Sequence, residues 1–186
     1  MGGGASHLRC WLIACAFVLG GLPAHAQSAD ESAVKAAFLT RFGSFTEWPP
    51  TAFSAPDTRF SICVAGSSSM LRSIDRFARG SQIGGRAVVV RRVADASDIS
   101  GCQILYLAAS RVAVADFLRA ARGRPVLTVT DERYGARRGV IHFVVVDDRV
   151  RFHIDRDAAE QNRLGLSSRL LSIALSVRGH GGASAP

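Results

Sequence analysis

"GVIHFVVVDDRVRFHID", residues 139–155, reads as two strands joined by a two-residue turn at Asp147-Asp148. Asp-Asp is a weaker turn pair than Asn-Gly but an acceptable one. Pairing Val146 with Arg149 fixes the rest by counting, because side chains alternate between faces. Val145 then faces Val150, Phe143 faces Phe152, and Ile141 faces Ile154. That face is wholly apolar and must be covered. The opposite face pairs Val144 with Arg151 and His142 with His153, within side-chain reach.

Upstream, "FLTRFGSFTEWPP" (residues 38–50) sets four rings close together. A helix is expected from about Asp30 to Thr46, with Ser28 and Glu31 resembling a capping box. Val34, Phe38, Phe42 and Phe45 recur at spacings of one helical face. Ala37 widens that stripe, while Lys35, Arg41 and Ser44 fall elsewhere. Pro49 and Pro50 end the helix, so Trp48 sits at or past its end. The three Phe rings read as core. Trp48 reads as half-buried and as the aromatic candidate for a partner or dimer surface.

Between these stretches strands and helices alternate. "RFSICVAG" (59–66) is a strand, and "SSSMLRSIDRFARG" (67–80) a serine-capped helix with Met70, Leu71, Ile74 and Phe77 inward. "GGRAVVVRRV" (84–93) is a second strand. "CQILYLAA" (102–109), apolar nearly throughout, is a central third. "SRVAVADFLRAARG" (110–123) is a helix with Val112, Ala115 and Leu118 inward, and "PVLTVTD" (125–131) a fourth strand. After the paired strands, helices are expected at about Arg156–Arg163 and Ser168–Val177, with residues 178–186 as a disordered tail. The pattern predicts a one-domain α/β sandwich, a mixed sheet flanked by helices with a C-terminal antiparallel hairpin.

The first 26 residues read as a secretory signal: Arg9, an apolar run from Trp11 to Leu22, and an A-x-A site at Ala24 and Ala26. The run is short for a membrane span. A lipobox ending at Cys15 is the rival reading. Cleavage after Ala26 leaves an α/β domain over 27–177, expected in the periplasm and not itself membrane-spanning. It also leaves two cysteines, Cys63 and Cys102. An even pair in an exported protein is a disulfide candidate; the alternative is two buried thiols.

The full chain carries 23 Lys plus Arg against 15 Asp plus Glu, a net charge of +8. The arginines are scattered among acids rather than gathered in a stripe, which argues against nucleic acid. Arg149 and Arg151, with Arg137 and Arg138 upstream, form a basic zone that could face an acidic partner; plain surface solvation is the alternative.

Signatures of enzymes are scarce: HExxH, GxSxG and GxxxxGK[ST] do not occur. Gly66–Ser69 follows a strand and opens a helix, so its amides could cradle an anion or be ordinary serine capping. His142 and His153 could offer two metal ligands, but zinc sites generally need a third; Asp155 is the nearest. Asp131 and Glu132 fit helix capping better than acid catalysis. No metal, cofactor or catalytic residue is expected.

"KAAFLTRFGSFTEWPP", "FSICVAG", "GRAVVVRRV", "CQILYLA", "VLTVTD", "GVIHFVVVDDRVRFHID" and "GLSSRLLSIA" appear in the order expected of the YfiR family of periplasmic proteins, which the chain resembles from about Glu31 to Ala174. The resemblance implies an α/β domain, often dimeric, without known catalysis. It implies a negative regulator that binds the periplasmic sensor portion of an inner-membrane diguanylate cyclase and lowers cyclic di-GMP, restraining biofilm formation. Cys63 and Cys102 match cysteines common in those two segments. Family members can carry a further pair near the last hairpin, and this chain has none there. The alternative function is a periplasmic small-ligand-binding or accessory module. A hydrolase built around the two histidines is a third reading.

Overall fold

The computed structural model describes residues 24–179. The expected leader therefore lies outside the described residues up to residue 23, and the expected tail from residue 180 onward.

Helix α1 runs from Ala24 to Ser44 and is followed by the short strand β1, Thr46–Glu47. Strand β2 (Phe60–Ala65), helix α2 (Ser68–Ala78), and strands β3 (Gln82–Ile83) and β4 (Arg86–Val93) come next. Strand β5 (Ile104–Leu107), helix α3 (Arg111–Ala121) and strand β6 (Leu127–Asp131) continue the alternation. Strands β7 (Ile141–Val146) and β8 (Arg149–Asp155) form the antiparallel pair. The chain then adds α4 (Arg156–Gln161), β9 (Gly165–Leu166), α5 (Ser168–Ser172) and β10 (Ser176–Arg178).

Four helices start on a side-chain cap. Ser67, Ser110, Asp155 and Ser167 accept the amides of Met70, Ala113, Ala158 and Leu170, satisfying donors the first turn leaves orphaned.

The eight-stranded sheet has the order β10-β8-β7-β6-β5-β2-β4-β3. Its centre is parallel, from β4 through β2, β5 and β6 to β7, and β8 reverses direction. Alternate residues of β2 separate two cores. Phe60, Ile62 and Val64 join Leu39 and Phe42 of α1 and Met70 and Ile74 of α2. Cys63 and Ala65 join Val114, Phe117 and Ala121 of α3. The architecture is thus one large mixed sheet with helices on both faces, beside a small antiparallel β1–β9 pair, rather than two sheets closed into a sandwich.

The antiparallel pair has the counted register throughout, from Ile141↔Ile154 to Val146↔Arg149. It is not a separate C-terminal hairpin. It is built into the sheet between β6 and β10. The chain after α5 does not continue as a helix to Val177. It turns at Ile173 and returns as β10, parallel to β8, with the Leu175 amide on the Phe152 carbonyl at 2.8 Å. The reason is the backbone of β8, whose outer groups otherwise lack a partner. Arg178, expected in the tail, belongs to this strand.

Three faces differ from their spacing. In α1, Lys35, Ala36, Leu39, Phe42 and Gly43 are buried, whereas Val34 is 40% exposed and Phe38 and Phe45 are half-buried. A Cβ on Gly43 would lie 2.6 Å from Ile83 Cδ1, so the helix presses closest to the sheet along the side bearing that glycine. In α3 the inward stripe is Val114, Phe117 and Ala121, and Val112 is 74% exposed. Burying the ring of Phe117 turns Val112 away, about 140° around the axis. In α2, Met70, Ile74 and Ala78 point in while Phe77 is exposed.

Candidate partner-binding surface

Strand β6 reaches only Phe143 of β7, so Val144–Val146 and the start of β8 project past the central sheet. The turn residues Asp147 and Asp148 have φ of 48° and 56°, the left-handed pair that a two-residue hairpin turn demands. Glu132, in the turn after β6, accepts the Val145 amide at 2.5 Å and ties the projecting tip down. On the other side β10 pairs with β8 only from His153 to Asp155. The edge from Arg149 to Arg151 is therefore open.

This tip is apolar at its centre and charged around it. Val145 and Val146 are each 39% exposed, and Val34 of α1 is nearby, also exposed. A cavity of about 440 Å³ between tip and helix is lined by Val34, Phe38, Val145, Arg149 and Arg151, with Glu31 and Asp148 also on its walls. Arg149 and Arg151, singled out in the sequence, thus share one concave surface.

Trp48 is elsewhere. Its Nε1 donates to the Gly43 carbonyl at 3.1 Å, and its ring meets Phe60 edge-on at 5.3 Å. That places it at the C-terminal end of α1. The 440 Å³ cavity uses the helix at residues 30–38, so the two lie roughly 10–20 Å apart along the axis. The structure does not bring Trp48 to Arg149 and Arg151.

His142 and His153 are cross-strand neighbours, but each ring is bonded elsewhere. His142 Nδ1 lies 2.9 Å from Thr130 Oγ1, and His153 Nδ1 lies 2.6 Å from Ser176 Oγ. Burial first, and the charge of Arg138 next, hold both imidazoles below their ordinary pKa. Asp155, the nearest third ligand in sequence, caps α4 and pairs with Arg178. Among the described residues no group of three His, Cys, Asp or Glu side chains is placed to hold a metal.

The most buried charges were not singled out by the sequence as a cluster. Lys35 Nζ lies 2.5 Å from both Glu31 Oε1 and Asp131 Oδ2. Tyr106 donates its hydroxyl to Asp131 Oδ2 at 2.8 Å, and Arg133 pairs with the other oxygen of Glu31 at 2.5 Å. Burial and the neighbouring Asp131 carboxylate push the Tyr106 phenol well above its usual pKa. Asp131 also caps the turn after β6, through the Arg133 amide at 3.0 Å, as expected of it. The available signals were the single lysine of the chain and its Glu31 four residues before it, a helical pair.

Cys63 and Cys102 are joined, with S–S 1.99 Å and Cα atoms 5.8 Å apart. The Gly66–Ser69 turn acts as a helix cap: Ser67 Oγ accepts the Met70 amide, and Arg92 donates to Gly66 O and Ser68 Oγ, both at 2.8 Å. Gly66 has φ +92°, and a Cβ there would stand 2.0 Å from Ala108 O. The crevice between the ends of β2 and β5 is therefore closed by backbone. Open α/β sheets commonly bind ligands at such a switch of strand order.

With this geometry in view, the family model decides the relationship: residues 32–175 match YfiR/HmsC-like proteins. The chain belongs to the YfiR/HmsC-like family. No curated protein matches the chain. As a YfiR-like regulatory protein it is a non-catalytic regulator. No helix among the described residues is long and apolar enough to cross a membrane.

Proposed function

We propose that this YfiR/HmsC-like protein works in the periplasm as a repressor. It binds the periplasmic sensor portion of an inner-membrane diguanylate cyclase and lowers cyclic di-GMP output without bond chemistry. The observation that carries this reading is the family match across residues 32–175. The projecting β7–β8 tip supplies a surface suited to it. Val34, Val145 and Val146 offer apolar contact, and Arg149 and Arg151 flank them on an open strand edge. A sensor segment with apolar residues ringed by carboxylates would complement that arrangement. Repression then follows from tighter binding to the sensor's inactive conformation than to its active one. A homodimer belongs to the same reading, with Trp48 at the far end of α1 as its aromatic contact.

The test is deletion followed by complementation. Loss of the chain should raise cellular cyclic di-GMP, and the wild type should restore it. Arg149→Glu with Arg151→Glu should not restore it, while its melting temperature stays close to wild type. Envelope pull-downs should recover a membrane sensor with the wild type alone. Unchanged cyclic di-GMP on deletion, with no sensor recovered, would overturn the proposal.

A further inference from the structure

Two adjoining cavities run along α3, the helix on the sheet face away from α1. One, of about 560 Å³, lies between α3 and the chain near Thr130–Arg137. The other, of about 550 Å³, lies between α3 and α4. They share Ala115, Arg119 and Arg137, and so form one groove.

Its charge is one-sided. Arg111, Arg119, Arg122, Arg137 and Arg138 all line it. Asp116 is the acid on the α3 wall, and Arg119 already pairs with it at 2.8 Å. Asp131 also borders the groove, but Lys35 and Tyr106 engage its carboxylate from the other side. Glu31, Asp75, Asp116, Asp131, Asp155 and Glu160 are held in salt bridges, and of the groove arginines Arg119 meets one of these six.

The backbone is shaped to hold these side chains close. Gly135 has φ +125°, and a Cβ there would meet Arg111 Cγ at 3.3 Å, so the arginine stem lies against the glycine. A Cβ on Gly139 would stand 2.7 Å from Thr128 O. That contact presses the segment carrying Arg137 and Arg138 down onto β6. The first cavity also has apolar lining, from the exposed Val112 and from Tyr134.

We propose that this groove binds a small organic anion with two or more phosphate or carboxylate groups. Its charged end sits among Arg119, Arg122, Arg137 and Arg138, and its apolar part rests on Val112 and Tyr134. Each cavity has the volume typical of small-molecule sites, roughly 300–1,000 Å³. The guanidinium fork matches both phosphate and carboxylate in bidentate fashion. Arg119 pairs with Asp116, but the charges of Arg122, Arg137 and Arg138 beside it repel one another until an anion enters. The site is separate from the Arg149–Arg151 surface and does not depend on the cyclase reading.

Calorimetric titration of the exported chain with pyrophosphate and with citrate, at near-physiological salt, tests this. At least one should bind saturably, and amide shifts should cluster in residues 111–122 and 134–139. Arg119→Gln with Arg137→Gln should weaken binding at least about tenfold, the scale of a lost charge-assisted contact. Arg149→Gln with Arg151→Gln should leave it unchanged. Sedimentation with vesicles containing cardiolipin, whose headgroup carries two phosphates, displaced by pyrophosphate, would identify a lipid headgroup as the source. Saturable binding without sedimentation would identify a soluble anion. No saturable binding of either probe overturns the proposal. So does equal weakening in both double variants, since that marks a diffuse charge effect. Matching melting curves establish that each variant is folded.

Discussion

Lys35 Nζ is held between two carboxylates and is almost wholly buried. Removing it strands Asp131, which is equally buried and keeps only the Tyr106 hydroxyl and the Arg133 amide. Breaking a buried pair from one side typically costs about 3–5 kcal/mol. Lys35→Met should lower urea stability by that order, and adding Asp131→Asn should recover part of the loss. Equal stability of Lys35→Met and the wild type would show the pair contributes little. His142 gives a pH dependence with a definite sign. Its folded pKa is depressed, chiefly by burial, so above the unfolded value of about 6.5 both states are neutral and full stability is present. As pH falls below that value the unfolded chain takes the proton first, and stability drops until the folded pKa is passed. Urea midpoints at neutral and mildly acidic pH should therefore diverge more for the wild type than for His142→Gln. These two residues were not equally legible. The His142–His153 pairing follows from counting along one hairpin, while Lys35 meets Asp131 across 96 positions of chain, and no local pattern encodes that.

Among the elements, the β7–β8 pair was the most legible, because its strands alternate cleanly and its turn is only two residues long. Register is then a local property. Its turn also leaves room for improvement. Asp147 and Asp148 both occupy left-handed backbone, which Asn-Gly adopts at lower cost. Replacing the two aspartates by Asn-Gly should raise stability by about 0.5–1 kcal/mol, seen as a higher denaturant midpoint. An unchanged or lower midpoint would mean the carboxylates contribute more than the backbone costs. Helix faces were less legible. Helical spacing identifies a stripe, but which side docks depends on the neighbour: Gly43 against Ile83 for α1, Phe117 in the second core for α3. Strand β10 was missed for the same reason. Its three residues, Ser176–Arg178, have little strand character alone and are recruited by the free edge of β8.

At the scale of the molecule the α/β alternation was readable, but the order of strands was not, since spacing says nothing about which side a crossover takes. The Cys63–Cys102 link joins β2 to the turn before β5, at the middle of the sheet. Its ends are separated by 39 positions, and a loop of that size is worth about 4 kcal/mol in the chain-entropy estimate. Cys63→Ala with Cys102→Ala should lose up to that much in chemical denaturation, while the repression of cyclic di-GMP proposed above should persist at permissive temperature. Loss of repression with little loss of stability would instead make the bond a functional element. The order of assembly has a consequence for a chain that emerges from its N-terminus. The sheet begins with β2 at its centre, and β4, β5, β6, β7 and β8 are then added outward on either side. Helix α1 comes first in sequence, yet the rings of Phe38 and Phe42 pack against Phe143 and Phe152, which come near the end. Until the last third of the chain has been made, those two rings have no lid. A truncated product ending before Phe143 would display them to solvent, and a chaperone or protease would meet this helix first.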